Sequence, residues 1–367
     1  MTRGTADVVE TSEAPAELGR LSRFPVRRVV QWVVGVGVLL LAAYGTYETI
    51  QLGRFSGAAW RDLLVFGVAQ GAIYALIALG YTMVYGILNM INFAHGEVFM
   101  AGAFASYFVA RTLQNSGFLQ SNPVVSIAIL MVVAMAGSVG VAVLLERVAY
   151  RRLRKAPRLV PLITAIGASL FLQNTAKGFF GPQTRGYPTP DVLGGTWTVL
   201  GIPILRTQVI VIVGAILAMV GLIMFVARTR TGKSMRAVAE DKEIASLMGI
   251  DVDRVVVTTF AIGGMLAGIA AVLFTMVFQV VGPFMGFIPG IKAFTAAVLG
   301  GIGSIAGAAL GGLILGLLEA VGPSLFLTGL GVKGPNQLKD VIAFSILVLV
   351  LIFRPGGLLG SDEAEKV

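Results

Sequence analysis

The chain contains no cysteine and only one histidine, His95, among its 367 residues. Without cysteine it can hold neither a disulfide framework nor a thiolate metal site. Charge is also scarce, because 13% of the residues are charged, whereas a soluble protein averages about 25%. With 56% hydrophobic residues and a mean hydropathy of +0.86, this shortage of charge excludes a soluble globular domain.

Long stretches of the chain have no charged residue at all, and these are 29–47, 63–94, 112–145, 159–176, 207–227, 255–291 and 293–318. A spanning helix needs ~20 mostly apolar residues, and the bilayer favours helices because backbone polar groups must be satisfied internally. The sequence therefore predicts an all-α polytopic membrane protein with about ten membrane segments. Their approximate bounds are 29–50, 63–85, 90–110, 124–146, 159–179, 208–227, 255–280, 284–300, 303–322 and 339–354.

The net charge of +9 reflects basic clusters at the ends of these segments, which lie at 20–28, 147–158 and 228–254. Nucleic-acid binding is one explanation, but the positive-inside bias of cytoplasmic loops accounts better for the positions. This bias predicts a multi-pass protein with cytoplasmic tails at 1–28 and 355–367. The same bias places three loops rich in Pro, Gly, Asn and Gln on the exterior side of the membrane. These loops are 111–123, 181–206 and 324–338.

The segment 284–300 is the least regular of the predicted spans. It is short, contains Pro289 and Gly290, and carries Lys292. A broken or re-entrant segment fits these residues as well as a plain span does, since interrupted helices are tolerated where the backbone lines a cavity.

The stretch from Asn89 to Phe104, NMINFAHGEVFMAGAF, places His95 beside Glu97 inside a long apolar region. Ionisable groups are costly at membrane depth, so they usually face a cavity or the protein interior. Residues two apart point to different sides of a helix, so His95 and Glu97 cannot form a simple two-ligand metal face. Two deeper charges, Lys292 and Glu319, are expected to pair or to hydrogen-bond within the bundle.

No catalytic triad, paired catalytic carboxylates or metalloprotease motif is present in the sequence, which predicts that the chain is not an enzyme. The triplet at 232–234, GKS, is similar to the end of a phosphate-binding loop. That motif needs a glycine at position 227, which is alanine here. Any coupling to ATP must therefore come from another chain.

The polar segment 228–254 lies on the cytoplasmic side in this orientation. Between Met235 and Met248 its apolar residues have helical spacing, with Leu247 and Met248 on the less polar side. The pattern predicts a short amphipathic helix that ends at Gly249. Such a helix is either a solvated connector or a docking helix for a cytoplasmic partner.

Several of the 47 glycines are spaced four residues apart and so share one face of a helix. They are Gly67 and Gly71, then Gly303, Gly307 and Gly311, then Gly312 and Gly316. Helix backbones can approach closely along such faces. Generic helix packing explains most of these glycines, and a transporter core or a subunit interface requires the same close packing.

Four stretches together carry a resemblance to a known family. They are 71–104, parts of 146–174, 239–263 and 286–320, and the C-terminal PGGLLG at 355–360 also fits. The chain resembles the LivH-type permease subunit of branched-chain amino acid ABC importers. The resemblance implies an ABC permease domain at 60–354, with the helix at 29–50 as an extra N-terminal element.

The resemblance implies a heteromeric importer in a bacterial-type cell membrane. A second related permease, two cytoplasmic ATPases and an external substrate-binding protein would be the partners. ATP and Mg would bind the ATPase chains, and no cofactor is expected in this chain. The segment 228–254 is similar to the region that contacts an ATPase, which implies the contacts Arg236, Glu240, Asp241, Ala245 and Gly249.

The residues expected nearest the translocation path are Asn92, His95, Phe294 and Thr295. Two other functions remain open from the sequence. A urea or short-chain amide permease shares much of the family pattern. An ion-coupled secondary carrier would use His95 and Glu97, but it would not need the segment 239–249.

Overall fold

The structure is a computed structural model that describes residues 26–154, 156–157, 159–199, 201–354 and 356–360. Its longer helices are α1 (Val26–Leu52), α2 (Gly57–Leu88), α3 (His95–Asn115), α5 (Pro123–Leu145), α6 (Leu159–Phe180), α7 (Arg206–Arg228), α10 (Val252–Phe278), α11 (Phe287–Gly300), α12 (Ile305–Gly322) and α13 (Lys339–Phe353). Three shorter helices are α4 (Phe118–Ser121), α8 (Arg230–Glu240) and α9 (Lys242–Leu247). Most of both predicted tails, 1–28 and 355–367, lies outside the described residues.

Four short strands lie between the helices, in two antiparallel pairs. Strand β1 (Arg185–Gly186) pairs with β4 (Val280–Val281), and Arg185 lies opposite Val281. Strands β2 (Thr196–Val199) and β3 (Ile202–Leu205) form a hairpin. The β1–β4 pair joins the loop after α6 to the loop after α10, and both loops are on the predicted exterior side.

The described residues contain 8 helices that are long and apolar enough to cross a membrane. The 21-residue α3 and the 14-residue α11 bring the helices to the number that the sequence predicts. At 1.5 Å per residue α11 is about 21 Å long, which is shorter than the ~30 Å hydrocarbon core. The all-α polytopic class is confirmed, and the predicted segment 284–300 contains the short, continuous helix α11.

Helices α2 and α10 form the centre of the bundle, since most of their side chains are buried. Helices α3, α5, α11 and α12 pack around them. In α1 most large apolar side chains are exposed, and in α13 they are exposed or half-buried. Such an arrangement suits a bilayer, where lipid tails cover the apolar outer surface.

Glycines allow the close crossing of α2 and α12. A Cβ atom added to Gly316 would collide with the backbone of Gly71, and one added to Gly312 would lie 2.5 Å from the backbone of Ala75. The four-residue spacing therefore marks a real contact face. Gly303 does not belong to it, because it lies in a turn with a φ of 97° and open space around it.

The structure corrects two predicted helices. Helix α2 ends at Leu88, and Asn89 adopts a left-handed conformation with a φ of 53°. The chain then runs without helix through 89–94, so the predicted segment 90–110 becomes α3, which begins at His95. Apolar residues such as Met90 and Ile91 hide this break from any hydropathy pattern.

The predicted single helix from Met235 to Met248 is also wrong, because it is broken at Asp241. This residue has an extended backbone, with a φ of −153°, and caps α9. Its Oδ1 accepts hydrogen bonds from the backbone N–H groups of Glu243, at 2.8 Å, and Ile244, at 2.9 Å. The predicted end at Gly249 agrees with its φ of 80°, a conformation that glycine adopts at little cost.

Candidate functional site

Asn92 holds the non-helical segment 89–94 inside the bundle. Its Oδ1 accepts hydrogen bonds from the hydroxyl of Tyr150, at 2.6 Å, and from the backbone N–H of Ala94, at 3.1 Å. Its carbonyl accepts a hydrogen bond from the N–H of His95 at 3.0 Å. Asn92 and Tyr150 are both buried. The Oδ1 and carbonyl oxygens of Asn92 therefore position the start of α3, while its buried Nδ2 has no hydrogen-bond partner in the described part of the chain.

His95 packs against α2 and the ring of Tyr81. The two ring centroids are 4.8 Å apart, in an edge-to-face arrangement. A Cβ atom on Gly80 would collide with the imidazole, so α2 needs glycine at this position. The Nε2 atom of His95 has no hydrogen-bond partner in the described part of the chain. Gly80 was not predicted as a site residue, since one glycine in an apolar run carries no signal.

Phe294 joins this aromatic group from α11. Its ring centroid is 5.5 Å from that of Phe93 and 6.1 Å from that of Tyr81. Its neighbour Thr295 is fully buried, and the Thr295 hydroxyl donates to the carbonyl of Ile291 at 2.9 Å. The structure therefore brings His95 and Phe294 together around Tyr81, whereas the hydroxyl of Thr295 is satisfied inside its own helix.

Glu97 points away from His95, towards α6, as the two-residue spacing predicts. Its Oε1 accepts hydrogen bonds from Gln173 Nε2, at 2.7 Å, and from Ser169 Oγ, at 3.2 Å. All three side chains are buried. Ser169 and Gln173 are four residues apart in an apolar helix, and that spacing of polar residues was the signal that could have identified them.

Lys292 and Glu319 form an ion pair at 2.6 Å, which confirms the predicted pairing. Asp340, at the start of α13, lies 2.6 Å from the same Lys292 amine. Lys339 is 4.0 Å from Glu319. Lys292 and Glu319 are almost completely buried, while Asp340 is 43% exposed. Asp340 was not predicted, because a helix-end acid is usually solvated.

A second ionic cluster joins the predicted cytoplasmic loop after α5 to the start of α10. Arg154 forms ion pairs with the fully buried Glu146 and with Asp253. Arg151 also contacts Asp253, at 2.7 Å. Burial and, to a smaller extent, the positive charge of Arg154 lower the pKa of Lys242 in α9. The cluster therefore lies next to the predicted coupling segment.

Only some of the predicted ATPase contacts present a free surface. Arg236 and Glu240 are exposed on α8, whereas Ala245 is buried. Asp241 and Gly249 are also exposed, but Asp241 caps the start of α9 and Gly249 forms the turn that follows it. The surface of α9 and the residue after it is apolar instead, because Ile244 is 59%, Leu247 86% and Met248 78% exposed.

The hydrogen bond between Tyr150 and Asn92 provides a test of this local structure. We expect Tyr150→Phe to lower the free energy of unfolding by about 1 kcal/mol, the usual contribution of one hydrogen bond. Asn92 keeps its bond to the Ala94 amide, so the segment does not lose its anchor. The measurement is thermal unfolding in detergent, with exposed Tyr44→Phe as the control. An effect no larger than that of the control would contradict the structural role.

Apolar helices that enclose buried charged and amide side chains define an integral membrane protein. The family model described as "Branched-chain amino acid transport system / permease component" matches residues 63–351. The chain therefore belongs to the family of branched-chain amino acid transport permease components, and it is a transport subunit. Helix α1 precedes the matched residues.

Individual relatives cover most of the chain. The high-affinity branched-chain amino acid transport system permease protein BraD of Pseudomonas aeruginosa is 47% identical over 311 residues, which are 83% of this chain and 97% of BraD. The permease protein LivH of Escherichia coli K12 is 44% identical over 306 residues, 82% of this chain and 96% of LivH. The autoinducer 2 import system permease protein LsrD of Yersinia enterocolitica is 29% identical over 199 residues, 51% of this chain and 55% of LsrD.

Proposed function

We propose that the chain is the membrane-spanning subunit of an ATP-driven importer for branched-chain or related amino acids. The observation that carries the proposal is the identity of 44–47% to permeases of this substrate class over nearly their whole length. The more distant similarity to an autoinducer 2 permease covers only about half of either protein. That contrast favours amino acids over other small polar solutes.

The proposed importer is an assembly in the cell membrane. This chain forms the translocation path with a second related permease, and both of its termini are cytoplasmic. Two cytoplasmic ATPases bind ATP and Mg, and an external binding protein delivers the substrate. No cofactor is required in this chain. Asn92, His95, Phe294 and Thr295 remain our proposed path residues, of which His95 and Phe294 meet at Tyr81.

Coupling in this proposal passes through α8 and α9. The permease alternates between outward-open and inward-open states, and ATP shifts their populations because it binds the two states unequally. The proposed coupling residues are Arg236, Glu240, Asp241, Ala245 and Gly249, of which Ala245 is buried beneath the surface that the others present. The exposed apolar side chains of Ile244, Leu247 and Met248 support a protein partner here, since apolar groups grouped on an aqueous surface often mark an interface.

The test is ATP hydrolysis by the importer reconstituted with its ATPases, second permease and binding protein. We expect leucine, isoleucine and valine to stimulate hydrolysis, and urea to have no effect. Stimulation by urea alone would assign the chain to short-chain amide transport. Failure to associate with any ATPase would contradict both functions and favour an ion-coupled carrier.

Charge or polarity changes on α8 and α9 should uncouple the importer. We expect Glu240→Lys and Leu247→Asp each to lower substrate-stimulated ATP hydrolysis at least about threefold, because a charge at a protein interface costs on the order of 1 kcal/mol or more. Leu247 is 86% exposed and contributes little to packing within this chain. The charge reversal Asp191→Lys, in the predicted exterior loop, is the matched control. Normal stimulation in both α8 and α9 variants would argue against the coupling assignment.

A further inference from the structure

A cavity of about 430 Å³ lies between α2, α10, α11, α12 and α13. Pro182 and Thr184, from the loop after α6, line it, and so does Val280 of β4. Lys339 and Asp340 line it at the start of α13. These residues lie in or next to segments that the positions of the basic clusters assign to the exterior side of the membrane. The cavity is therefore at the end of the bundle from which an importer receives its substrate.

The polar end of the cavity holds charges of both signs. Lys292 lies between Glu319 and Asp340, at 2.6 Å from each. Glu319 uses Oε1 in that pair, while its buried Oε2 has no hydrogen-bond partner in the described part of the chain. A buried acceptor without a partner is costly. That oxygen has almost no accessible surface, whereas Asp340 is 43% exposed, so its carboxylate is the group that meets a cation entering the cavity.

A second pair of polar groups stands beside the Glu319 carboxylate. The buried hydroxyl of Tyr74 accepts a hydrogen bond from Gln70 Nε2 at 2.7 Å and lies within hydrogen-bonding reach of Glu319. The amine of Lys339 is 4.0 Å from Glu319 and partly exposed. The Lys339 amine can therefore donate to an anion that enters the cavity. Hydrogen-bond acceptors and donors thus lie within one small region, which is the pattern that a zwitterion requires.

The rest of the cavity wall is apolar. Phe274 and Phe278 stack on each other at a centroid distance of 4.3 Å, and Phe284, Met285 and Ile288 complete the wall. Small-molecule sites commonly combine such apolar walls with a few convergent polar groups, in volumes of about 300–1,000 Å³. An aliphatic side chain gains from this wall, whereas urea has no apolar part to bury.

We propose that this cavity is a transit site for a zwitterionic aliphatic amino acid. The ammonium group bonds the exposed carboxylate of Asp340, with the buried Glu319 behind it. The carboxylate lies towards Lys339, and the side chain lies against Phe274 and Phe278. The proposal rests on the proposed import function, and it assigns to that function residues separate from the aromatic group at His95.

The absence of native cysteine allows a direct binding test. Ile288 lines the cavity and is 39% exposed, so Ile288→Cys introduces a single reactive thiol at the site. The variant importer, assembled with its partners in nanodiscs, is labelled with a maleimide in the presence of leucine, alanine or urea. We expect leucine at ten times its dissociation constant to slow labelling about tenfold, by simple mass action. Val199→Cys, on the exposed β2–β3 hairpin, is the control and should label at one rate throughout.

The outcomes separate this site from the proposed function. If the wild-type importer transports leucine but leucine leaves the labelling of Ile288→Cys unchanged, the transit site is wrong and the function stands. If leucine protects the thiol but is not transported and does not stimulate ATP hydrolysis, the transit site stands and the proposed function fails. Protection by urea alone, or equal slowing at Val199→Cys, would overturn the amino acid assignment.

A second variant tests the site by filling it. Ile288→Trp places a larger ring in the cavity, and we expect it to lower leucine transport at saturating binding protein by about tenfold, with a smaller effect on alanine. Ile216→Trp, at a similarly exposed position on α7, is the matched control. Co-purification of the ATPases shows that each variant is assembled. Unchanged leucine transport in an assembled Ile288→Trp importer would overturn the proposal.

Discussion

Replacement of Gly316 by leucine is expected to separate α12 from α2 and to prevent stable folding of the permease. The Cβ atom of any residue at this position would overlap the backbone N and Cα atoms of Gly71. Backbone atoms in a helix cannot rotate away as a side chain can, so the whole helix must move. Overpacking of a core costs about 1–3 kcal/mol and occasionally more, and we expect the upper end of that range here.

The measurement for Gly316→Leu is the unfolding temperature in detergent, together with the fraction that elutes as a single species. Gly221→Leu is the control, because Gly221 lies on α7 with no other atom near an added Cβ. The unfolding temperature of Gly316→Ala should lie between those of Gly316→Leu and Gly221→Leu, since the alanine methyl group already meets the Gly71 backbone. An unfolding temperature for Gly316→Leu equal to that of the control would show that α2 and α12 do not cross this closely.

The helix content of the fold could be predicted from the sequence because the bilayer imposes a length on each span. Seven stretches of about that length without charge are visible at once, and the long helices α1, α2, α5, α6, α7, α10 and α12 lie largely within them. The spacing of Gly312 and Gly316 also predicted a close helix face. Its partner, Gly67 and Gly71 on α2, required the structure, because spacing within one helix does not specify the neighbour.

The candidate sites were less predictable, for reasons that differ from residue to residue. His95 and Glu97 were found because charge is rare in this chain. Tyr150 was missed because it contacts Asn92 from 58 residues away along the chain. The sequence placed Leu247 on the less polar side of its helix but did not decide whether that side faces the protein or a partner. In the structure α9 begins after the break at Asp241, and Leu247 is exposed.

Replacement of Arg154 by methionine is expected to destabilise the permease by about 3–5 kcal/mol, the usual cost of breaking a buried ion pair from one side. Glu146 is 0% exposed, and Arg154 is its ion-pair partner. Without the guanidinium, the carboxylate must stay buried without a counter-charge or draw water into the bundle. The contact between the loop after α5 and Asp253 would also weaken, although Arg151 retains its own contact.

The double variant Arg154→Met, Glu146→Gln tests the cause of this loss. If the unpaired buried charge is responsible, neutralising Glu146 should restore part of the stability, and the two substitutions should be non-additive by roughly 1–3 kcal/mol. Arg152→Met is the control, because Arg152 is exposed and forms no ion pair within the described residues. Unfolding in detergent is measured for the wild-type chain, Arg154→Met, Glu146→Gln, the double variant and the control. If the effects of Arg154→Met and Glu146→Gln on stability are additive, Arg154 stabilises the loop by packing or through Asp253. Neutralising Glu146 restores stability only where the loss of Arg154 has left that carboxylate buried without a counter-charge.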